Sequence, residues 1–459
     1  MTSVVAMPTV TPVEGKPNLL LGAYDIAGVG YTASEYFVSG TARAYGEGRQ
    51  PEVDYTTRIV ALLPADTAKF NGTVLVEWLN VSGGIDAPAV WFMAHREMIR
   101  EGYAYIAVSA QKVGVDGGLT ITGFDMSLKT QNPERYSRLS HPGDAYSFDM
   151  FSQVGQLVRA SPDQVLGRLR PEFVIAIGES QSAMFLTTYI NAVDRHAGVF
   201  DGFLVHSRFG GAASLDGINT LEAFERGTPD PSPFRDDLRV PTMNVITETD
   251  VVGAILPGYY MARQRDNDML RTWEIAGTAH ADAYTVKVGF IDDGSLPVEQ
   301  LAAGYAPSNE LMGQQLKQPF NFGPQHHYVL QAAISRLHAW VRAGEPPPHA
   351  PRLETDDDQP PGFVVDEYGI VKGGVRTPWV EVPIARTSGT GDDATPVALL
   401  FGSGELFDDN TRKRLYPGGK SEYIQRFTEE LDATIRAGYL LRADRSEILE
   451  LAAATYGAG

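Results

Sequence analysis

Apolar runs typical of buried β-strands alternate with amphipathic helical segments along much of this chain. Strands that are buried on both faces read as continuous apolar runs, and the helices between them form the crossovers of a parallel sheet. The alternation therefore predicts an α/β fold with a mainly parallel central sheet flanked by helices. Residues 36–38 and 57–63 predict two further strands that open the sheet. The buried runs cover residues 72–79, 103–109, 173–178, 202–206, 241–247 and 271–277.

A strong helix stop divides the chain. The helical pattern over residues 327–342 is followed by Gly344 and by prolines at 346–348, which cannot continue a helix. We therefore predict that residues 1–345 form the core and that residues 346–459 pack on it as a C-terminal extension.

Segments rich in Gly, Asp and Pro interrupt the predicted core at about 206–240 and 281–325. We expect both to be lid insertions that set specificity. Within the extension, the acidic and Pro-rich residues 351–362 predict a linker, whereas 421–436 and 444–456 predict helices.

The charge balance excludes some classes of partner. The chain carries 38 Lys and Arg against 57 Asp and Glu, a net charge of −19. Such a surface repels phosphate backbones and anionic lipid, so we expect neither nucleic acid nor a membrane as partner. Because there is no cysteine, disulfides, thiolate metal sites and a cysteine nucleophile are excluded.

The amino-terminal residues carry no recognisable export signal. Residues 1–13 lack a basic region followed by an apolar one, and no later stretch approaches the roughly 18 apolar residues of a membrane helix. We expect a cytoplasmic protein, although a signal that had been removed would leave the same sequence.

A serine lies at a predicted strand-to-helix turn. Residues 178–182 read Gly-Glu-Ser-Gln-Ser, between an apolar run and a helical segment. A nucleophile elbow needs small residues two positions before and after its Ser, because the turn is tight. Gly178 meets this need and Ser182 replaces the usual second Gly, so Ser180 is the candidate nucleophile. Ser180 could instead serve only to cap the helix.

A serine nucleophile needs a general base and an orienting carboxylate, which in this architecture follow in the chain order Ser, acid, His. Asp250 and Glu248 come just after the predicted strand at 241–247, and His280 comes just after the strand at 271–277. The carboxyl ends of parallel strands share one edge of the sheet, where α/β proteins build their sites. We predict His280 as the base and Asp250 as the acid, with Glu248 as the alternative acid.

Two backbone N–H groups commonly stabilise the oxyanion of acyl transfer. The residue after the nucleophile, Gln181, supplies the first. Asn80 or Val81 is expected to supply the second, because glycines at 83 and 84 let that loop approach a substrate.

Further polar and aromatic residues are candidates for the pocket wall: Gln111, His206 and Tyr259. Phe209 is another, although it and Tyr259 could equally belong to ordinary core. His326 and His327 open a predicted helix without further ligands nearby, so we expect no metal and no organic cofactor.

The chain resembles the α/β-hydrolase superfamily, and more narrowly a mostly bacterial family known only as alpha/beta hydrolase domain proteins. This resemblance implies a serine hydrolase with Ser180, His280 and Asp250 as its triad, and it implies that residues 363–459 belong to the same fold. It supplies no substrate. It rests on residues 76–84, 108–111, 139–149, 178–182, 248–250, 276–282 and 415–417.

The residues and the resemblance together predict hydrolysis of a small-molecule carboxylic ester or lactone through an acyl-enzyme. An acyltransferase or an amidase would use the same triad. A non-catalytic binding protein on a hydrolase scaffold is the alternative from another class. The sequence leaves homo-oligomer formation open.

Overall fold

The computed structural model describes residues 5–46, 48, 50–227, 230–391 and 395–457. Within these residues a nine-stranded sheet runs in the order β1-β2-β3-β5-β4-β6-β7-β8-β9. In this order, neighbouring strands from β1 through β3 to β5 pair antiparallel. From β5 through β4 to β9, neighbouring strands pair parallel. The predicted mainly parallel sheet is confirmed. Its strands are β1 Thr9–Val13, β2 Tyr31–Ala42, β3 Val53–Pro64, β4 Thr73–Trp78, β5 Ala104–Val108, β6 Phe173–Glu179, β7 Gly202–His206, β8 Thr242–Thr247 and β9 Leu270–Ile275.

Two further strand pairs lie outside the large sheet: β10 Glu310–Leu311 pairs with β11 Gln314–Gln315, and β12 Ala385–Ser388 pairs with β13 Ser403–Leu406.

Helices cover both faces of the sheet, as predicted. The helices are α1 Ala89–Arg100, α2 Lys112–Asp116, α3 Leu128–Gln131, α4 Ser147–Ala160, α5 Gln181–Thr188, α6 Asp194–Ala197, α7 Thr220–Arg226, α8 Glu248–Val252, α9 Val298–Gly304, α10 Gln325–Ala343, α11 Pro378–Glu381, α12 Pro396–Leu399, α13 Asp409–Leu415, α14 Gly419–Ala437 and α15 Arg445–Thr455.

Alternate side chains of each central strand enter different cores. In β4, Leu75 packs in the core with α1 and α10, whereas Val74 and Val76 pack in the core with α4 and α5. The same alternation places Ile175 and Ala176 of β6 on opposite faces. Because successive strand residues point to opposite faces, a strand covered on both sides must be apolar throughout, which explains the continuous runs.

One charged residue interrupts the apolar β4. Glu77 is fully buried, and its carboxylate accepts hydrogen bonds from the backbone N–H groups of Val90 (2.8 Å) and Trp91 (3.1 Å) and from the Tyr105 hydroxyl (2.8 Å). Val90 and Trp91 lie in the first turn of α1, where backbone N–H groups lack partners within the helix. Glu77 thus caps α1 from the sheet, and burial raises its pKa to about 8.

The C-terminal residues pack against the rest of the molecule. Phe427 of α14 and Leu451 of α15 lie in the same core as α1 and α10. The helices predicted at 421–436 and 444–456 are α14 and α15. The predicted linker is packed at its start, because Leu353 is 1% exposed and its N–H donates to the carboxylate of Glu274 at 2.9 Å. The division into residues 1–345 and 346–459 stays a prediction.

No helix in the described ranges combines the length and the apolar character that crossing a bilayer requires. Among the same residues, no group of three or more His, Asp or Glu side chains is arranged to hold a metal ion.

Candidate active site

Ser180 occupies a sharp turn between β6 and α5. Its backbone has φ 58° and ψ −119°, a region that residues other than glycine adopt only under strain. Its N–H donates to the carbonyl of His206 at the end of β7, at 2.9 Å. The strand, turn and helix predicted around Ser180 are therefore present, and the strain is of the kind that accumulates at functional sites.

Close packing within the turn explains the small residues on both sides of Ser180. A Cβ atom added at Gly178 would lie 3.2 Å from Cβ of Ser182 and 3.0 Å from Cδ1 of Leu186. Both distances are tighter than ordinary van der Waals contact, so a side chain at 178 would push α5 away from β6.

A chain of hydrogen bonds joins the three residues selected from the sequence. Nε2 of His280 lies 2.9 Å from Oγ of Ser180, and Nδ1 of His280 lies 2.6 Å from Oδ1 of Asp250. The other oxygen of Asp250 accepts hydrogen bonds from the N–H (2.8 Å) and the hydroxyl (2.7 Å) of Thr247, the residue that precedes α8. This capping box fixes the carboxylate, which fixes the orientation of the imidazole.

The surroundings of His280 favour its protonated form. Burial lowers the pKa of the imidazole, but the charge and hydrogen bond of Asp250, together with the charge of Glu179, outweigh burial and leave the pKa above its ordinary value. Asp250 is fully buried. A proton taken up at Nε2 would therefore be stabilised by the carboxylate bonded to Nδ1.

The alternative acid, Glu248, makes other contacts. Its carboxylate accepts hydrogen bonds from the N–H groups of Gly277 (2.6 Å) and Gly389 (2.7 Å) and from the hydroxyl of Ser388 (3.1 Å). Burial raises its pKa to about 7. Glu248 thus ties the turn after β9 to the strand end at β12, and the structure places Asp250 rather than Glu248 against His280.

The two loops expected to hold an oxyanion both lie beside Ser180, because Val81 and Gln181 border one cavity with it. Among the described hydrogen bonds, the backbone N–H groups of Gln181 and Val81 have no acceptor. The N–H of Asn80 is committed, because it donates to the carbonyl of Ala87 at 2.9 Å. Asn80 is thus removed as a backbone donor, and Val81 remains the candidate for the second N–H.

The side chain of Asn80 instead organises this loop. Its Nδ2 donates to the backbone carbonyl of Glu179 at 3.1 Å, and its Oδ1 accepts the N–H of Ser82 at 2.8 Å. These contacts join the loop after β4 to the turn that carries Ser180.

Comparison with known families matches residues 5–450 to the family described as alpha/beta hydrolase domain. The chain belongs to this alpha/beta hydrolase family. The match includes most of the predicted C-terminal extension. No curated protein sequence matches the chain.

Solved structures similar to this alpha/beta hydrolase include esterases and dienelactone hydrolases. Fungal esterase from Rhizomucor miehei is 10% identical with a TM-score of 0.31, over 70% of this chain and 92% of that chain. Esterase Pf2001 from Pyrococcus furiosus is 10% identical with a TM-score of 0.30, over 57% and 88%. Dienelactone hydrolase from Anabaena variabilis is 12% identical with a TM-score of 0.24, over 46% and 75%.

Glu179 is a second carboxylate of this alpha/beta hydrolase site, and the sequence patterns did not predict it. Oε1 of Glu179 lies 3.4 Å from Nε2 of His280, and Oε2 accepts a hydrogen bond from Nδ2 of Asn80 at 3.3 Å. Burial raises the pKa of Glu179 to about 7. Its position immediately before Ser180 was the available signal, because a residue at the end of β6 shares the functional edge of the sheet.

A cleft with about 390 Å³ of empty space opens beside Ser180. The ring of Phe209 forms part of its wall and stacks on the imidazole of His280, with centroids 5.3 Å apart and planes 24° apart. Besides Val81, Ser82, Ser180 and Gln181, its lining comprises Leu119, Thr120, Ile121, Phe209, Thr220, Leu221, Ile255 and Leu256.

Three residues expected at the pocket wall lie in the interior instead. Gln111 is 1% exposed and accepts a hydrogen bond from Nε1 of Trp78 at 3.2 Å. Nε2 of His206 lies 2.8 Å from Nε2 of His326, and burial holds the pKa of His206 well below its ordinary value. Tyr259 is fully buried in a core cluster. None of the three lines the described cleft, because their side chains point into the protein from the ends of strands and turns.

Proposed function

We propose that the protein is a serine hydrolase that cleaves a carboxylic ester or lactone through an acyl-enzyme. The observation that carries this proposal is the continuous hydrogen-bonded chain from Oγ of Ser180 through His280 to Asp250, at 2.9 and 2.6 Å. A nucleophile, a base and an orienting carboxylate within these distances meet the geometric requirement for nucleophilic catalysis.

In the proposed reaction, Oγ of Ser180 attacks the substrate carbonyl while Nε2 of His280 takes its proton. Asp250 stabilises the imidazolium that forms. The N–H groups of Gln181 and Val81 donate to the developing oxyanion. His280 then gives its proton to the leaving alkoxide, and water, activated in the same way, releases the acid and restores Ser180.

Transfer to an alcohol and hydrolysis of an amide share the acyl-enzyme and differ in what attacks it or what leaves. Product analysis in the presence of a competing alcohol such as methanol separates transfer from hydrolysis. An aryl amide matched to a hydrolysed aryl ester separates amidase from esterase activity.

The test compares Ser180→Ala with Ser182→Ala, two residues along the same turn. A fluorophosphonate probe should label the wild type and Ser182→Ala, and should not label Ser180→Ala, with circular dichroism showing that all three fold. Equal labelling of Ser180→Ala would overturn the proposal. A wild type that neither reacts with the probe nor hydrolyses any activated ester would favour a binding protein instead.

A further inference from the structure

The walls of the cleft beside Ser180 are mostly apolar and carry no charged side chain among the described residues. They come from distant parts of the chain: the loop after α2, the loop after β7, the start of α7 and the loop after α8. No Arg, Lys, His, Asp or Glu side chain belongs to the lining among the residues that the structure describes. The apolar lining residues used in this argument are Leu119, Ile121, Phe209, Leu221, Ile255 and Leu256.

Apart from His280, the ionisable side chains nearest to the proposed nucleophile are carboxylates. Glu179 precedes Ser180 and faces His280, and Asp250 contacts the same imidazole from its other side. A substrate carboxylate would therefore enter a region that holds negative charge. His280 would be its one positive neighbour, and in the state that accepts the proton of Ser180 the imidazole is neutral.

The buried cation closest in sequence to the cleft wall is turned elsewhere. Arg208 precedes Phe209, but its Nε and Nη2 donate to backbone carbonyls at 2.6–3.2 Å. Its guanidinium lies over two aromatic rings, with centroids 5.0 and 5.4 Å away. Nη1 of Arg208 is buried without a hydrogen-bond partner among the described residues, but Arg208 is not part of the cleft lining and so does not meet an anion bound there.

The room in the cleft is small. Its empty space of about 390 Å³ includes open solvent at the mouth, so the enclosed part is smaller still. A short acyl group fits such a space, whereas a long chain would have to leave the cleft.

We propose, on the basis of the serine hydrolase function above, that the substrate is a compact, neutral ester or lactone with an apolar acyl group, and that anionic acyl groups are rejected. The physical reason is that burying a carboxylate against apolar walls without a cation costs far more than burying a neutral group of the same shape.

The experiment compares two 4-nitrophenyl esters of nearly equal shape: the levulinate, which is neutral, and the hemisuccinate, which carries a carboxylate. We expect kcat/KM for the levulinate to exceed that for the hemisuccinate on the order of 100-fold. In a second series, kcat/KM for 4-nitrophenyl butyrate should exceed kcat/KM for 4-nitrophenyl decanoate by about tenfold or more. Equal or reversed preference in either series would overturn the proposal.

A variant locates the discrimination in this cleft. Ile121→Arg places a cation on the wall at a half-buried position, and it should narrow the ratio of levulinate to hemisuccinate by about tenfold. The matched control is Ile291→Arg, at a residue that is 44% exposed and outside the cleft. If Ile121→Arg changes the ratio of levulinate to hemisuccinate no more than Ile291→Arg does, the proposal is also overturned.

Failure of this inference is distinct from failure of the proposed function. A wild type that reacts with the fluorophosphonate probe but prefers the hemisuccinate is a serine hydrolase of another specificity. A wild type that neither reacts with the probe nor hydrolyses any activated ester refutes both.

Discussion

The carboxylate of Glu179 and the imidazole of His280 are neighbours: Oε1 lies 3.4 Å from Nε2, the ring nitrogen that also lies 2.9 Å from Oγ of Ser180. Asp250 contacts the opposite ring nitrogen. His280 thus lies between two carboxylates. Either charge favours the imidazolium, and together they outweigh the effect of burial on the pKa of His280.

The first prediction concerns pH. His280 must be neutral to accept the proton of Ser180, so kcat/KM for a neutral ester should rise with pH as His280 deprotonates. Because the pKa of His280 is raised, the midpoint of this rise should lie above the ordinary value of 6.5. Glu179→Gln removes one of the two negative charges and should move the midpoint to lower pH. The measurement is kcat/KM from about pH 5 to 9.

The control for this prediction is Glu299→Gln, which makes the same change of charge at an exposed position of α9. It should leave the midpoint unchanged. A midpoint that stays the same or rises in Glu179→Gln would show that Glu179 does not stabilise the imidazolium. Because Glu179 itself has a pKa raised to about 7 by burial, the profile reports the coupled pair rather than either group alone.

The second prediction separates the two acids after β8. Asp250→Asn should lower kcat on the order of 10⁴-fold, because an amide facing Nδ1 does not hold the imidazole in the tautomer that accepts a proton at Nε2. Glu248→Gln should keep most of kcat and lower the free energy of unfolding by about 1–3 kcal/mol, because its new amide would face N–H groups that now donate to the carboxylate. Turnover and urea unfolding of both variants check this. A larger loss of turnover in Glu248→Gln would reverse the assignment.

The sequence predicted the residues of the site better than their contacts. Ser180, Asp250 and His280 each follow a parallel strand, and the carboxyl ends of parallel strands meet at one edge whatever the lengths of the loops between them. The choice between Asp250 and Glu248 depends on the backbone of α8, where Thr247 caps the helix and directs Asp250 toward His280. Two residues of the same charge in one short segment cannot be separated by pattern alone.

Non-periodic segments account for most of what the sequence did not predict. Leu119, Ile121 and Ile255 reach the cleft from loops, where no hydrophobic period indicates which side chain points inward. Strand β1 was also missed. It is short and lies at the sheet edge, and it contains Pro12, which removes an N–H donor and is tolerated there for that reason.

The third prediction concerns the loop after β4. Asn80→Ala removes the hydrogen bonds to Glu179 and Ser82 and should displace the N–H of Val81 from the oxyanion position. We expect kcat to fall by about 10- to 100-fold with little change in KM, because the oxyanion forms only in the reaction. Steady-state kinetics on one neutral ester measure both constants.

A matched control exists at the other end of β4. The side chain of Asn71 also accepts a local backbone N–H, that of Thr73 at 2.9 Å, but lies where β4 begins. Asn71→Ala should leave kcat within about twofold of the wild type, because the side chain lies away from the site and from the loop after β4. If both variants lose kcat equally, the effect of Asn80→Ala comes from general loosening of the fold.

The fourth prediction tests the packing of the turn at Ser180. A methyl group at residue 178 would lie 3.2 Å from Cβ of Ser182, so Gly178→Ala should lower the free energy of unfolding by about 1–3 kcal/mol. Removing Cβ of Ser182 relieves one of the three close contacts and leaves those with Cδ1 of Leu186 and with the backbone carbonyl carbon of Ser182. The loss caused by Gly178→Ala should therefore be smaller in a Ser182→Gly background, by about 0.5 kcal/mol or more.

The measurement is a double-mutant cycle by urea unfolding. It uses four proteins: the wild type, both single variants and the double variant. Ser182→Gly has its own cost in the helix, and the cycle cancels it. Ser182→Ala is a useful fifth protein, since the hydroxyl of Ser182 is buried without a partner among the described residues and its removal should not destabilise the fold. Strict additivity of Gly178→Ala and Ser182→Gly would mean that contact with Leu186 or with the backbone of residue 182 is what requires glycine at 178.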